Sequence, residues 1–165
     1  MEPIRPRDYP GLGVGGLLVA GQLILLFIGG VGRICPLLIL GALLCLVSVV
    51  FLIVPVVQLK RRGGVAKGDI FANTTVVVDT GLYAIVRHPQ FLAMPMLTTG
   101  IALLGQRLGL GLLGVVAIAA FMVDFIRADR RDSAKFGEVY REYMQRVPGW
   151  NPLAGLWRLK GRARR

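Results

Sequence analysis

Two uninterrupted apolar blocks constrain this chain more than any other feature. Leu12 to Val31 is a run of 20 residues whose one polar side chain is Gln22, and Pro36 to Val57 is a run of 22 residues interrupted by Ser48 alone. A helix of about 20 apolar residues crosses a hydrocarbon core of about 30 Å, so each block is long enough to span a bilayer. Two further apolar stretches follow a polar interval. They are Phe91 to Gly105, extended to His88 by the residues before it, and Leu108 to Ile126, which contains Asp124. The expected architecture is therefore an all-α integral membrane protein with about four transmembrane helices, 12–31, 36–57, 88–105 and 108–126, the third of them short. The 58–87 segment is expected as a loop, and a C-terminal amphipathic helix over 129–147 is expected to close a site. The whole 165-residue chain reads as one membrane domain.

A net charge of +11 would ordinarily suggest nucleic acid, but its distribution favours another partner. With four spans, eighteen Lys and Arg fall on one side, in the amino-terminal segment, the 58–87 loop and the tail after Ile126, against Arg33 and Arg107 on the other. The positive-inside rule places both termini, the loop and any site beside it in the cytoplasm. The basic end "RLKGRARR", Arg158 to Arg165, suits anionic lipid head groups, so membrane lipids are the expected partner and nucleic acid is not. Leu12–Val31 is longer than the apolar part of a signal peptide and leads into Arg33 and Pro36, so it is expected to remain as a first span. Cys35 and Cys45 lie about three turns apart on one helical segment, too far for a bridge, and form no metal pattern. The Asn73-Thr74-Thr75 sequon matches a glycosylation signal in spelling only if it faces the cytoplasm.

The first two blocks are rich in Gly, Leu and Val, with Gly11 and Gly15 spaced for close helix packing, which suits a scaffold. From Gln58 onward the composition changes. "KRRGGVAKGD" is basic and glycine-rich, and Thr74 to Val78 is a β-type run ended by Asp79-Thr80-Gly81. Past Ile126, Phe136, Val139, Tyr140, Tyr143 and Val147 share one helical face, and Pro148 ends the pattern. With Trp150 and Trp157 following, that helix suits a membrane interface or a lid.

Polar side chains near membrane depth are costly and tend to serve a function. Those that stand out are Tyr83, Arg87, His88, Asp124, Arg127 and Asp129, and His88 is the one histidine of the chain. Each has an ordinary structural explanation when taken singly. His88 precedes Pro89, a natural first helical residue; Arg87 suits a positive-inside anchor; Asp124 and Arg127 have the spacing of a helical ion pair; Tyr83 suits an interfacial aromatic. A hairpin turning at Gly105-Gln106-Arg107 would nevertheless bring Tyr83–His88 and Asp124–Asp129 to the same cytoplasmic mouth.

Taken together the spelling is more specific. "VVVDTGLYAIVRHPQFLAM", followed by "FGEVYREYMQRVPGWNP", resembles the isoprenylcysteine carboxyl methyltransferase family and the wider group of membrane methyltransferases that includes phospholipid N-methyltransferases and thiol S-methyltransferases. The matching positions are Gly81, Tyr83, Arg87, His88, Pro89, Phe91, Phe136, Gly137, Tyr140, Tyr143, Val147 and Pro148, across roughly Thr74 to Pro152. The resemblance implies S-adenosylmethionine as cofactor, held by Thr75, Val76, Val77, Val78, Tyr83, His88, Pro89, Gln90, Phe91 and Asp129. It implies a lipid-like acceptor, with the carboxylate of an isoprenylcysteine as the leading expectation, and catalytic roles for Arg87, Arg127 and Asp129. Two positions depart from the family pattern: Phe91 stands for a tyrosine, and Ala128-Asp129 for a pair of glutamates. A thiol or phospholipid-amine acceptor, a sterol-reductase-like enzyme using a nicotinamide cofactor, and a non-catalytic membrane protein are the other readings.

The acceptor's chemistry decides what the protein must supply. A carboxylate is already ionised and needs an arginine to orient it, for which Arg87 or Arg127 would serve. An amine or thiol must lose a proton, which makes His88 or Asp129 the candidate base.

Overall fold

The computed structural model describes residues 9–162; Arg5, Arg7, Arg164 and Arg165 of the charge count lie outside them. Among the described residues the chain forms six α-helices and no strand: α1 Pro10–Gly29, α2 Cys35–Arg62, α3 Pro89–Gly105, α4 Leu108–Phe136, α5 Glu138–Arg146 and α6 Pro152–Arg162. Helices α1, α2 and α4 are long and apolar enough to cross a membrane, and α3, at 17 residues, is a shorter apolar helix. The protein is an all-helical integral membrane protein. Among the described residues its helices fall into two compact units, one comprising residues 9–51 and 91–127, the other 52–90 and 128–162, so that α2 and α4 contribute to both.

The first unit is built on small residues. Gly11 and Gly15 are buried, and a methyl group on either would collide with the Ala120 carbonyl and the Phe121 ring, respectively, so α1 and α4 approach at backbone distance. Around this contact Val19, Ile101, Ala117 and Phe121 pack with Leu26, Met94 and Leu97. Large apolar side chains such as Leu17, Phe27 and Val115 point outward, the arrangement of a protein solvated by lipid rather than water. Gln22 is the buried polar side chain of α1, and its Oε1 has no hydrogen-bond partner among the described residues. Gln22 donates through Nε2 to the carbonyls of Thr98 and Leu110 at 3.3 and 2.7 Å. The hairpin expected at Gly105-Gln106-Arg107 is present, and Arg107 donates to the Leu25 and Gly30 carbonyls at 3.1 and 3.0 Å, which closes the C-terminal end of α1.

Asp124 belongs to this framework. Its carboxylate, fully buried, accepts from the backbone N–H of Gly11 at 3.1 Å and of Leu12 at 2.6 Å in the first turn of α1; the Leu12 N–H is shared with the Tyr9 carbonyl at 3.2 Å. The ion pair suggested by its spacing to Arg127 is not what engages it. Arg127 is exposed, and no ion pair joins it to Asp124 among the described residues.

The second unit holds the polar end of α2, the 63–88 segment, the end of α4, and α5 and α6. The Val-rich run is not a strand. Thr75 and Val76 donate their N–H groups to the Gly63 carbonyl just past α2, at 2.7 and 3.2 Å, and the Thr75 hydroxyl bonds the Gly64 carbonyl. A single extended segment with no second strand to pair cannot form a sheet, however β-prone its residues. The helix expected over 129–147 is two helices: α4 runs on to Phe136, Gly137 turns the chain at a φ of 59°, and α5 begins at Glu138. Tyr140, Tyr143 and Val147 then form the core of this unit with Val77, Phe136 and Met144.

Candidate active site

Two arms of the second unit converge on one carboxylate. The first arm starts at Gly81, whose φ of 64° turns the chain into a 3₁₀ turn, Gly81–Ala84. Gln58 on α2 accepts from the Leu82 N–H at 3.3 Å, and Tyr143 on α5 donates its hydroxyl to the Tyr83 carbonyl at 2.7 Å. The Arg87 N–H donates to the Pro148 carbonyl at 3.1 Å, and α3 starts at Pro89, as its lack of an N–H favours. Arg87 and His88 are thereby fixed in the last irregular residues before a helix. The second arm is the end of α4, which carries Asp129, with Ser133 donating its hydroxyl back to the Asp129 carbonyl at 2.7 Å.

The Asp129 carboxylate divides its oxygens between three donors. Oδ2 accepts from Arg87 Nη2 at 2.8 Å; Oδ1 lies 2.9 Å from His88 Nε2 and accepts from the Tyr140 hydroxyl at 2.9 Å. The Tyr140 oxygen is also 3.0 Å from His88 Nε2, so these three atoms form a closed triangle. Arg87 is held a second time by the Met144 carbonyl, 3.3 Å from Nη1, while its buried Nε has no hydrogen-bond partner among the described residues. Burial pushes the phenols of Tyr83, Tyr140 and Tyr143 well above the ordinary tyrosine range, and the charge of Asp129 adds to the effect at Tyr140. All three remain neutral hydroxyls at any working pH. Tyr83 in turn accepts from Gln90 Nε2 at 2.6 Å.

Of the residues singled out from sequence, Arg87, His88 and Asp129 meet directly, and Tyr83, Pro89 and Gln90 belong to the same arm. Val77 packs against the Tyr140 and Tyr143 cluster and Val78 is buried, while Thr75 and Val76 are exposed along the segment held by Gly63. Phe91 belongs to the first unit, where its ring lies 6.3 Å from those of Tyr9 and Phe125. Arg127 belongs to that unit too and takes no part in the Asp129 cluster. Sequence reasoning placed Tyr140 and Tyr143 in the matching motif and on an amphipathic face but gave them no role in the site, because that spacing reads equally as an apolar face.

The family model for phospholipid methyltransferase matches residues 36–130, more than half of the chain. The chain belongs to the phospholipid methyltransferase family. No curated protein and no solved structure matches it. Members of this family use S-adenosylmethionine, so the protein is an S-adenosylmethionine-dependent methyltransferase of the membrane, acting on a lipid acceptor. The matched range contains Arg87, His88 and Asp129 and stops just past the last of them, leaving α5 with Tyr140 and Tyr143 outside.

Proposed function

We propose that the enzyme methylates the amine of a phospholipid head group, with His88 as the base and Asp129 as the group that orients it. The observation that carries this reading is the engagement of Arg87 by Asp129. A carboxylate acceptor such as an isoprenylcysteine needs an uncommitted cation to orient it, and here Arg87 is already neutralised at 2.8 Å. A head-group amine has the opposite requirement. It arrives as an ammonium ion and must shed a proton before its lone pair can attack. An imidazole 2.9 Å from a carboxylate is suited to take that proton, because the carboxylate stabilises the imidazolium that results.

The residues present suit S-adenosylmethionine in their donor chemistry. The buried Arg87 Nε, without a partner among the described residues, is a donor suited to a neutral acceptor such as a ribose hydroxyl or an adenine nitrogen, because the charge of Arg87 is already met by Asp129. Asp129 offers negative charge to an ammonium, and the Thr75–Val78 backbone, with Tyr83, His88, Pro89 and Gln90, would complete the cradle. When bound, S-adenosylmethionine supplies a sulfonium methyl already activated for transfer. The chain's own contribution is then positioning, which is worth about 7–11 kcal/mol in well-oriented reactions, together with proton uptake at His88 and exclusion of water. The charge count further supports a cytoplasmic site with both termini on that side.

The test is to reconstitute the protein with tritiated S-adenosylmethionine, offering phosphatidylethanolamine and a prenylcysteine as competing acceptors. The expected label is an alkali-stable methylamine, with activity falling at acid pH and His88→Ala losing turnover by far more than cofactor affinity. Label released as methanol by alkali would mark a methyl ester and reinstate the carboxylate acceptor. Unchanged cofactor affinity in both Tyr83→Phe and His88→Ala would remove those two side chains from the cradle.

A further inference from the structure

Helix α6 is built with its apolar side out. It is a well-specified helix: Pro148 ends the preceding segment, the Asn151 side chain accepts from the Ala154 N–H at 3.0 Å, and Pro152 occupies the first turn. Its inner face is Gly155, buried so closely against the Ile85 backbone that a methyl group there would collide with the Ile85 carbonyl. At 100° per residue, Leu153, Leu156, Trp157 and Lys160 occupy the opposite face. Leu153 is 76%, Leu156 42% and Trp157 78% exposed. A helix packed for water would have these positions reversed.

The charge of the same segment identifies what covers that face. No Asp or Glu follows Glu142, whereas Arg146, Arg158, Lys160, Arg162, Arg164 and Arg165 do. Lys160 lies in the middle of the apolar stripe, where a long stem can lie along lipid while its ammonium reaches a phosphate. Arg158, exposed beside the stripe, is steadied by the Gln145 carbonyl at 3.4 Å. Apolar side chains of this size, an interfacial tryptophan and unopposed positive charge match an anionic bilayer surface and no other surface as well. We infer that α6 lies in the head-group layer of an anionic membrane, with Leu153, Leu156 and Trp157 among the lipid chains and Arg158 and Lys160 against lipid phosphates. Through Gly155 and Ile85 this contact holds the Tyr83–Arg87 arm itself at the lipid surface, where a head group has to enter. The inference does not depend on which acceptor is methylated.

The experiment uses the full-length protein in vesicles of neutral or mixed neutral and anionic phospholipid. The chain has two tryptophans, so subtracting the emission of Trp157→Phe from that of the unaltered protein isolates Trp157. The expected result is blue-shifted Trp157 emission, lost when the lipid chains are brominated, indifferent to aqueous iodide, and more strongly quenched by the bromolipid when anionic lipid is present. Combined Arg158→Glu and Lys160→Glu should abolish that anionic preference, and Leu153→Ser with Leu156→Ser should make Trp157 accessible to iodide. Quenching of the unaltered protein by iodide alone would overturn the inference. So would protection from both quenchers, which would mean that a second copy or another protein covers the face, and so would equal bromolipid quenching in neutral and anionic vesicles.

Discussion

Neutralising Asp129 should expose how much of the second unit rests on its ion pair with Arg87. In Asp129→Asn the amide oxygen can still accept from His88 and Tyr140, but the amide nitrogen then faces Arg87 Nη2, donor against donor. Both side chains are largely buried, at 11% and 16% exposure, so the remaining guanidinium is poorly solvated. Breaking one partner of a buried pair costs about 3–5 kcal/mol, and partial exposure lowers that here to about 2–4 kcal/mol. For a chain of this length, about 3 kcal/mol corresponds to a fall of roughly 6–12 °C in the unfolding midpoint. Arg87→Met should cost a similar amount, including about 1 kcal/mol for the bond to the Met144 carbonyl. The double variant is the informative one. With both charges gone no buried ion is left alone, so its loss should fall short of the summed single losses by about 1.5–3 kcal/mol. The assay is thermal unfolding in detergent followed by circular dichroism at one fixed scan rate, because irreversible unfolding makes the midpoint depend on that rate. Single losses that add to within about 0.5 kcal/mol would show that the pair is not coupled and that the reasoning is wrong.

Tyr140→Phe removes a hydroxyl from the Asp129 and His88 triangle while keeping the ring. A hydrogen bond to a charged group is worth about 1.5–3 kcal/mol, so turnover should drop roughly 10- to 100-fold in the methyl-transfer assay; unchanged turnover would remove Tyr140 from the site. Asp124→Ala should lower stability by about 1–2 kcal/mol through the lost cap on α1 and leave the S-adenosylmethionine dissociation constant unaltered, as isothermal calorimetry would show; a changed constant would return Asp124 to the site. Burial raises the pKa of Tyr83, Tyr140 and Tyr143, so the stability they contribute is complete below the unfolded-state value of about 10 and is lost as pH climbs above it. Three such groups give a slope approaching about 4 kcal/mol per pH unit in strong alkali, and Tyr83→Phe, Tyr140→Phe and Tyr143→Phe should each make the alkaline unfolding limb shallower. Ala128→Glu forces a carboxylate into a position 3% exposed, so it should lower the melting temperature without raising cofactor affinity; a many-fold gain in affinity would mean instead that the site had decayed.

The membrane helices were legible because composition alone decides them: a block of about 20 apolar residues has few other stable fates. The hairpin at 105–107 and the start of α3 at Pro89 were legible from local chemistry. Three features were not. The end of α4 looked like the start of a separate amphipathic helix, because hydropathy changes at Arg127 although the backbone has no reason to stop before Gly137. The Val-rich run looked like a strand, because β-propensity records a fit to a neighbouring strand that this chain does not supply. Asp124 looked like a site residue because its partners, Gly11 and Leu12, are backbone groups more than a hundred positions away. The same blindness left Tyr140, although named in the motif, without a role in the site. A side chain's role in a site depends on what lies opposite it, and Asp129 lies opposite only once Gly137 has turned α5 back along the end of α4.

The departures at Ala128 and Asp129 and the nature of the acceptor are one question. Around Asp129 the formal charges of Arg87 and the carboxylate cancel, and His88 adds a unit of positive charge only when it takes up a proton. A site without this acid would present Arg87 alone and repel an incoming ammonium while attracting a carboxylate. A site with a second buried acid at position 128 would carry one negative charge more, and Arg87, already engaged by Asp129, would not offset its desolvation. One carboxylate, its oxygens divided between Arg87 on one side and His88 with Tyr140 on the other, leaves a neutral site with a base in it. That is the electrostatic condition the proposed acceptor requires, a head-group amine that enters as a cation and gives its proton to His88.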